Sequence, residues 1–110
     1  MIRIVIAEDH QALIDGIKLM IEYEPDIEVV GEANDGEELI EIVRKKRPDI
    51  VLTDIRMPKC DGICATKLIM ENYPNTKVIG FSMFEQTEAI NQMQTVGAKG
   101  YILKNSSLKK

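Results

Sequence analysis

Five polar residues, each directly following a short apolar run, have side chains suited to binding a divalent cation and a phosphoryl group. These residues are Glu8, Asp9, Asp54, Ser82 and Lys104. Carboxylates can hold Mg²⁺, which usually completes its coordination with water and phosphate oxygens. A hydroxyl and an ammonium group at the same place would bind further phosphoryl oxygens. Taken singly, each residue is more commonly a cap or a surface residue, so only the combination indicates a site.

Three carboxylates in one pocket repel one another. Two unit charges about 4 Å apart interact by about 4 kcal/mol at an effective dielectric constant of about 20. Lys104 offsets roughly one of the three negative charges, and the remainder requires a divalent cation or protonation. A set of oxygen ligands favours a hard cation such as Mg²⁺ over zinc.

The elements that must position these residues are five short apolar runs rich in β-branched residues. The runs are residues 2–7, 27–31, 49–53, 77–82 and 99–103. Several are continuous rather than alternating, as in strands that helices cover on both faces. Strands that alternate with helices predict a parallel sheet. Because sites in such sheets lie beyond the carboxyl ends of the strands, we expect the polar residues to meet at one edge.

Four segments between the runs have the apolar spacing of amphipathic helices. The predicted apolar faces are Leu13, Ile17, Met20 and Ile21; Leu39, Ile42 and Val43; Cys64, Leu68 and Ile69; and Ala89, Met93 and Val96. An acidic variant of the capping box, Asp35 to Glu38, begins the second helix. Gly97 ends the fourth helix.

The composition indicates one globular domain. The chain has 110 residues, of which 45% are hydrophobic and 29% charged, with a net charge of −4. This balance is ordinary for a folded domain, and an acidic chain is by itself a poor candidate for binding nucleic acid. No apolar run approaches the roughly 20 residues of a membrane span. Glu8 and Asp9 come too early for a signal peptide.

The two cysteines, Cys60 and Cys64, and the single histidine, His10, are too few for a structural zinc site. A bridge between Cys60 and Cys64 across one helical turn would form only under strain. We therefore expect reduced thiols in a cytoplasmic protein.

Together these residues resemble the receiver domain of two-component response regulators. The resemblance extends from Ile2 to Lys104 and depends on Glu8-Asp9, residues 54–58, Asp61-Gly62, Ser82 and residues 97–104. Asp9-His10, residues 29–33 and residues 100–104 look most similar to the NarL/LuxR branch, whose members usually carry a helix-turn-helix DNA-binding domain after the receiver. The resemblance implies an α/β, flavodoxin-like (CheY-like) fold, with three α/β/α layers and a five-stranded parallel sheet in the order 2-1-3-4-5.

The resemblance also implies a phosphoacceptor and its cation. Asp54 would be the phosphoacceptor, phosphorylated by a histidine kinase. Glu8 and Asp9 would hold Mg²⁺ together with Asp54, and the backbone carbonyl of Arg56 would be a further ligand.

The remaining strand-end residues are then expected to respond to the phosphoryl group. Ser82 and Lys104 would bind its oxygens, and Tyr101 would be the switch aromatic that turns inward when Ser82 moves. Alternatively, Tyr101 only covers the fourth helix as a strand aromatic.

Three residues near the acceptor are predicted to tune its chemistry. Arg56 is expected to lie where the access of phosphate to the acceptor is controlled, and Phe84 is a candidate for the same role. Met83 is larger than the small residue common at this position in receivers. We hypothesise that it narrows access to the phosphoaspartate and slows hydrolysis.

The receiver is predicted over residues 1–110, without a DNA-binding domain. Receivers have a fifth helix after strand five, and here only residues 105–110 follow Lys104, so that helix is largely missing and the chain looks truncated. An uncovered apolar sheet face favours association, and we expect a homodimer or a domain-swapped dimer. The other expected partner is a histidine kinase. No membrane partner is expected, and DNA would be bound only through an output domain absent from this chain.

Three other functions compete with a receiver that controls transcription. A stand-alone receiver would act by protein contact. A flavodoxin-like FMN protein would need a phosphate-cradling glycine loop after strand one, where Glu8-Asp9 would instead repel phosphate. A Mg²⁺-dependent phosphohydrolase also uses an aspartyl phosphate but needs a substrate cap, for which this chain is too short. A receiver is not an enzyme in the metabolic sense, because one phosphoryl group per Asp54 is a signal.

Overall fold

A computed structural model describes residues 1–57, 59–82 and 87–103, in which five strands alternate with four helices. The elements are β1 (Ile2–Ala7), α1 (Gln11–Glu22), β2 (Ile27–Ala33), α2 (Gly36–Lys46), β3 (Ile50–Asp54), α3 (Gly62–Asn72), β4 (Lys77–Ser82), α4 (Thr87–Thr95) and β5 (Gly100–Leu103). All strand pairs are parallel, and the sheet order is β2-β1-β3-β4-β5. The predicted fold class and strand order are confirmed.

The two faces of the sheet carry separate apolar clusters, as expected for a sheet between two helical layers. On β1, Val5 and Ala7 point into a cluster with side chains of α2, α3 and α4. Ile4 and Ile6 point the opposite way and pack against Ile14 of α1. This alternation follows from the period of two residues in a strand.

The strand boundaries differ from the prediction where polar residues continue the pairing. β2 extends to Ala33, which pairs with Ala7 of β1. β3 is shifted by one residue and includes Asp54, which pairs with Phe81 of β4. Apolar content alone misplaced both ends, because backbone hydrogen bonding in the sheet continues past the last apolar side chain.

Three residues assigned to apolar helix faces are exposed, and those assignments are wrong. Met20 of α1 and Leu68 and Cys64 of α3 are open to solvent. In α3 the buried positions are instead Gly62, Ala65, Thr66 and Ile69. Gly62 lies against the carbonyl of Asp54, and Thr66 contacts Met93 of α4, so small residues fill this stripe where the sequence predicts larger apolar side chains.

The predicted start of α2 is confirmed. The Asp35 carboxylate accepts a hydrogen bond from the Glu38 N–H at 2.8 Å. The Glu38 carboxylate in turn accepts from the Asn34 N–H at 2.7 Å, one residue earlier than in the usual capping box. The two bonds fix the chain between β2 and α2.

Helices that cross a membrane need both length and apolar composition, and no helix among the described residues combines the two.

Replacing either of two helical glycines with alanine is expected to change stability, with opposite signs at the two positions. A Cβ at Gly36 would lie 1.6 Å from the carbonyl oxygen of Cys60, whereas a Cβ at Gly16 meets no atom within 4 Å. We expect Gly36→Ala to lower the free energy of unfolding by about 1–3 kcal/mol through backbone displacement. Gly16→Ala is expected to raise it by about 0.5–1 kcal/mol, because alanine favours a helix interior. Urea denaturation of both variants measures the difference, and a neutral Gly36→Ala would contradict the close approach.

Candidate functional site

The carboxyl end of β1 carries a buried acidic side chain. Glu8 follows the last residue of the strand, and 0% of its side chain is exposed. Its backbone N–H donates to the carbonyl of Ala33 at 2.9 Å. Its backbone carbonyl accepts from the side-chain amide of Asn34 at 3.1 Å. The end of β2 therefore fixes Glu8 in place.

Asp9 and His10 form a cluster with Glu8. The Nδ1 atom of His10 lies 3.1 Å from Oε2 of Glu8 and 3.1 Å from Oδ1 of Asp9. The ligand atoms of the three residues all lie within 4.8 Å of one another. Exposure rises from Glu8 through Asp9, at 37%, to His10, at 73%. The cluster is therefore open to solvent on one side and closed by the sheet on the other.

The neighbours of Asp9 shift its ionisation. The pKa of Asp9 is raised above its ordinary value, chiefly because its side chain shares a hydrogen bond with Glu8 and also because it is partly buried. A positive charge on His10 acts in the opposite direction and lowers the pKa of Asp9. The net shift is upward, so Asp9 takes up a proton more readily than an isolated aspartate does.

Asp54 ends the neighbouring strand β3 at the same edge of the sheet. Ala7 of β1 pairs with Thr53 of β3, so the next residues, Glu8 and Asp54, continue from paired positions. Asp54 is 8% exposed. Its backbone carbonyl accepts a hydrogen bond from the Thr53 hydroxyl at 2.9 Å. The predicted convergence of these strand ends agrees with the register of the sheet.

The segment from Asp54 to Gly62 is hereafter called the acceptor loop, and its two ends lie close together. The Gly62 N–H donates to the carbonyl of Ile55 at 2.7 Å. A Cβ at Gly62 would lie 2.3 Å from the carbonyl oxygen of Asp54, so only glycine fits there. Asp61 caps α3 by accepting from the Cys64 N–H at 2.9 Å. Residue 58 lies outside the described residues.

A groove of about 370 Å³ joins the acceptor loop to the cluster on β1. Its lining residues are Asp9, Arg56, Met57 and Asp61. Arg56 is exposed, and Met57 is buried beneath the groove. The structure therefore brings Arg56, expected to control access, to the same opening as Asp9.

The expectation of reduced thiols is wrong in this structure, because Cys60 and Cys64 are joined in a disulfide. Cys60 precedes α3 with φ at 70°, so the two cysteines do not lie on one helical turn. Their Cα atoms are 5.3 Å apart, within the usual range of about 4.4–6.8 Å for disulfides. Because Cys60 lies in the loop and not in the helix, the strain expected for a bridge across one helical turn does not apply here.

The other predicted site residues are only partly described. Ser82 ends β4 and pairs with Leu103, but its side chain is outside the described part. Met83, Phe84 and Lys104 lie wholly outside it.

Tyr101 of β5 lies over the neighbouring strand and is half-buried. A Cβ at Gly80 would lie 3.1 Å from its ring. Its hydroxyl is buried and has no hydrogen-bond partner among the described residues. The side chain therefore packs over β4 in the sheet.

His10 is the cluster member that sequence reasoning did not assign to the site. Its position directly after Glu8-Asp9 was the available signal, but adjacency alone does not show which way a side chain turns. In the structure its backbone N–H donates to the Glu8 carboxylate at 3.1 Å, which places the ring beside both acids.

The donor chemistry of the cluster fits a small hard cation. Carboxylate oxygens of Glu8 and Asp9 lie close together at an opening, with the Asp54 strand alongside. The raised pKa of Asp9 indicates that added positive charge would be favourable. Mg²⁺ is suited to such a site because it keeps several waters and needs few carboxylates.

Comparison with known proteins agrees with the topology. A family model described as response regulator receiver domain matches residues 4–110. The transcriptional regulatory protein DegU of Brevibacillus brevis is 41% identical over 103 residues, covering 94% of this chain and 44% of DegU. The oxygen regulatory protein NreC of Staphylococcus epidermidis is 43% identical over 105 residues, covering 94% of this chain and 48% of NreC.

Solved structures give the same result. The signal receiver domain of NarL from Mycobacterium tuberculosis has a TM-score of 0.90 and 30% identity, covering 94% of this chain and 84% of that chain. A LuxR-family response regulator from Aurantimonas has a TM-score of 0.88 and 32% identity, covering 93% of this chain and 73% of that chain.

The chain belongs to the response regulator receiver domain family. Its relatives are response regulators of the NarL, DegU and NreC type, so the resemblance inferred from the strand-end motifs is confirmed, as is the flavodoxin-like fold. The chain spans about half the length of the curated relatives it matches.

Removing the buried charge at the end of β1 should stabilise the metal-free protein. Glu8→Gln keeps the shape of the side chain and ends its repulsion with Asp9. In buffer with a chelator we expect the free energy of unfolding to rise by about 1–3 kcal/mol, the order expected for two charges at this separation. Glu28→Gln, an exposed position on β2, is the matched control and should change stability by less than about 0.5 kcal/mol. Urea denaturation measures both, and a destabilised Glu8→Gln would contradict the repulsion.

Proposed function

We propose that this receiver takes a phosphoryl group onto Asp54 from a histidine kinase in a reaction that requires Mg²⁺. The observation that carries the proposal is a nearly buried Asp54 at the end of the strand beside the Glu8–Asp9 cluster. The acceptor is part of the protein, so each molecule takes up one phosphoryl group, which is the stoichiometry of a signal rather than of metabolic turnover.

Four groups would hold the cation. They are the carboxylates of Glu8, Asp9 and Asp54 and the backbone carbonyl of Arg56. When bound, Mg²⁺ neutralises the incoming phosphoryl group and orients it. The chain's own contribution is to hold the ligands in place before the cation binds. Hydrogen bonds to β2 and Asn34 fix the backbone of Glu8, and the Gly62–Ile55 hydrogen bond closes the acceptor loop.

At Asp54, a carboxylate oxygen attacks phosphorus while the bond between phosphorus and the kinase histidine breaks, and the imidazole leaves. The low exposure of Asp54 limits the access of competing water. We assign Ser82 and Lys104 to the phosphoryl oxygens, because Ser82 ends β4, Lys104 comes directly after β5 in the sequence, and the two supply a hydroxyl and a positive charge.

Tyr101 is proposed as the switch aromatic. Its ring packs over Gly80 of β4, the strand that ends at Ser82. Phosphorylation, which adds about −1.5 to −2 of charge, would draw Ser82 toward Asp54 and make room for the ring.

Arg56, Met83 and Phe84 are proposed to tune access to the acceptor. Arg56 supports this role by lining the groove with Asp9. Met83 and Phe84 follow β4 directly, and their roles stay predictions from the sequence.

The proposed output is transcriptional. DegU is named as a transcriptional regulatory protein, and a similar chain from Aurantimonas is described as a LuxR-family response regulator. We propose that this receiver, in the cytoplasm, controls a DNA-binding domain of the same protein. Self-association through the sheet face that carries exposed Ile102 stays a prediction.

Acetyl phosphate and Mg²⁺ should add a single phosphoryl group that depends on Asp54. Asp54→Asn is expected to abolish the addition, because the neutral amide is not a nucleophile for phosphorus. Asp26→Asn, an exposed position before β2, is the matched control and should be phosphorylated like the wild type. Intact mass spectrometry measures the addition, and chelation of Mg²⁺ should prevent it. A phosphorylated Asp54→Asn variant, or an unmodified wild type in a folded sample, would contradict the proposal.

A further inference from the structure

We propose that Cys60 and Cys64 form a reversible redox clasp that orders the acceptor loop. The two sulfur atoms are joined, and the bond links the loop residue Cys60 to the first turn of α3. The disulfide is a modification site distinct from the phosphoacceptor. Its consequence for phosphorylation rests on the function proposed above, whereas its effect on loop order does not.

The clasp lies on the part of the loop that contacts α2. The carbonyl of Lys59 accepts a hydrogen bond from the Glu37 N–H at 3.1 Å. The carbonyl of Cys60 lies so close to Gly36 that a Cβ there would be 1.6 Å away. Restraining Cys60 therefore restrains the whole contact between the acceptor loop and the start of α2.

The backbone at the clasp adopts a conformation that needs support. Lys59 and Cys60 have φ values of 52° and 70°, in the left-handed region that residues other than glycine rarely adopt. Two such residues in succession persist only when surrounding contacts hold them. A covalent bond from Cys60 to α3 is one of these restraints, and breaking it lets the loop relax.

The sulfur of Cys64 is reachable from solvent. Cys64 is exposed, and it lines a groove of about 420 Å³ between α3 and α4 together with Asp61, Ile63, Gln92, Thr95 and Val96. Cys60 is half-buried on the opposite side of the bond. A small-molecule disulfide therefore reacts with Cys64 before Cys60.

The oxidation is a pair of thiol–disulfide exchanges. The Cys64 thiolate attacks one sulfur of a small disulfide, forms a mixed disulfide and releases one small thiol. The Cys60 thiolate then attacks the Cys64 sulfur, closes the clasp and releases the second small thiol. The two cysteines lose two protons and two electrons, and the small disulfide gains them. A dithiol reverses both steps.

The clasp predicts that oxidation orders the loop and that reduction loosens it. The full chain is prepared with glutathione disulfide and with dithiothreitol, and alkylation followed by intact mass counts the thiols. Amide exchange at Gly62 and Glu37 is followed by NMR, since their N–H groups donate to Ile55 and Lys59 of the loop. We expect both thiols to be blocked in the oxidised sample and exchange at the two amides to rise about 10-fold on reduction.

Cys64→Ser is the matched control, because its exposed side chain is not needed for packing. Its exchange should resemble that of the reduced wild type and should not respond to the oxidant. Two alkylated thiols after oxidation of folded protein, or equal exchange in the two redox states, would overturn the proposal.

The same samples separate this proposal from the proposed function. With acetyl phosphate we expect phosphoryl uptake about 3-fold slower in the reduced form, because a loosened loop binds the cation less well. No uptake in either form, with redox-dependent exchange, would contradict Asp54 phosphorylation and still support the clasp.

Discussion

The burial of the Glu8 carboxylate beside Asp9 is the constraint on which the rest of the site depends. Burying a carboxylate is costly, and this one lies at the end of β1, between β2 and β3 in the sheet, with His10 beside it. Its backbone is held by Ala33 and Asn34, so the carboxylate cannot withdraw without disrupting the end of β2. The protein therefore keeps two acidic side chains close together at an opening of the sheet edge, an arrangement suited to binding a divalent cation.

The acceptor loop forms the other half of the site. Its backbone lies very close to the first residues of α2 and α3. Gly62 allows α3 to begin against the carbonyl of Asp54, and Gly36 allows α2 to contact the carbonyl of Cys60. Side chains at either glycine would push the loop away from the strand ends. The loop that carries Arg56 is thus positioned by main-chain packing on two helices, with the disulfide as a covalent addition.

Much of the fold could be predicted from the sequence because β-branched runs and helical spacing are local signals. The strand order came from the resemblance, and polar residues directly after apolar runs located the site edge. The direction of side chains was harder to predict: Leu68 and Cys64 are apolar yet exposed, since small residues such as Ala65 face the apolar core instead. The disulfide and the orientation of His10 depend on loop geometry, namely the positive φ of Cys60 and the turn after β1, which the order of residues alone does not give.

Crystals soaked with Mn²⁺ would locate a divalent cation through its anomalous scattering. We expect one strong peak at the carboxyl edge of the sheet, coordinated by Asp9 and Asp54 and by the carbonyl of Arg56. Glu8 should contact the ion directly or through one water. A peak held by other residues, or no peak at this edge in well-ordered crystals, would contradict the claim that the strand-end carboxylates form a single cation site around the acceptor.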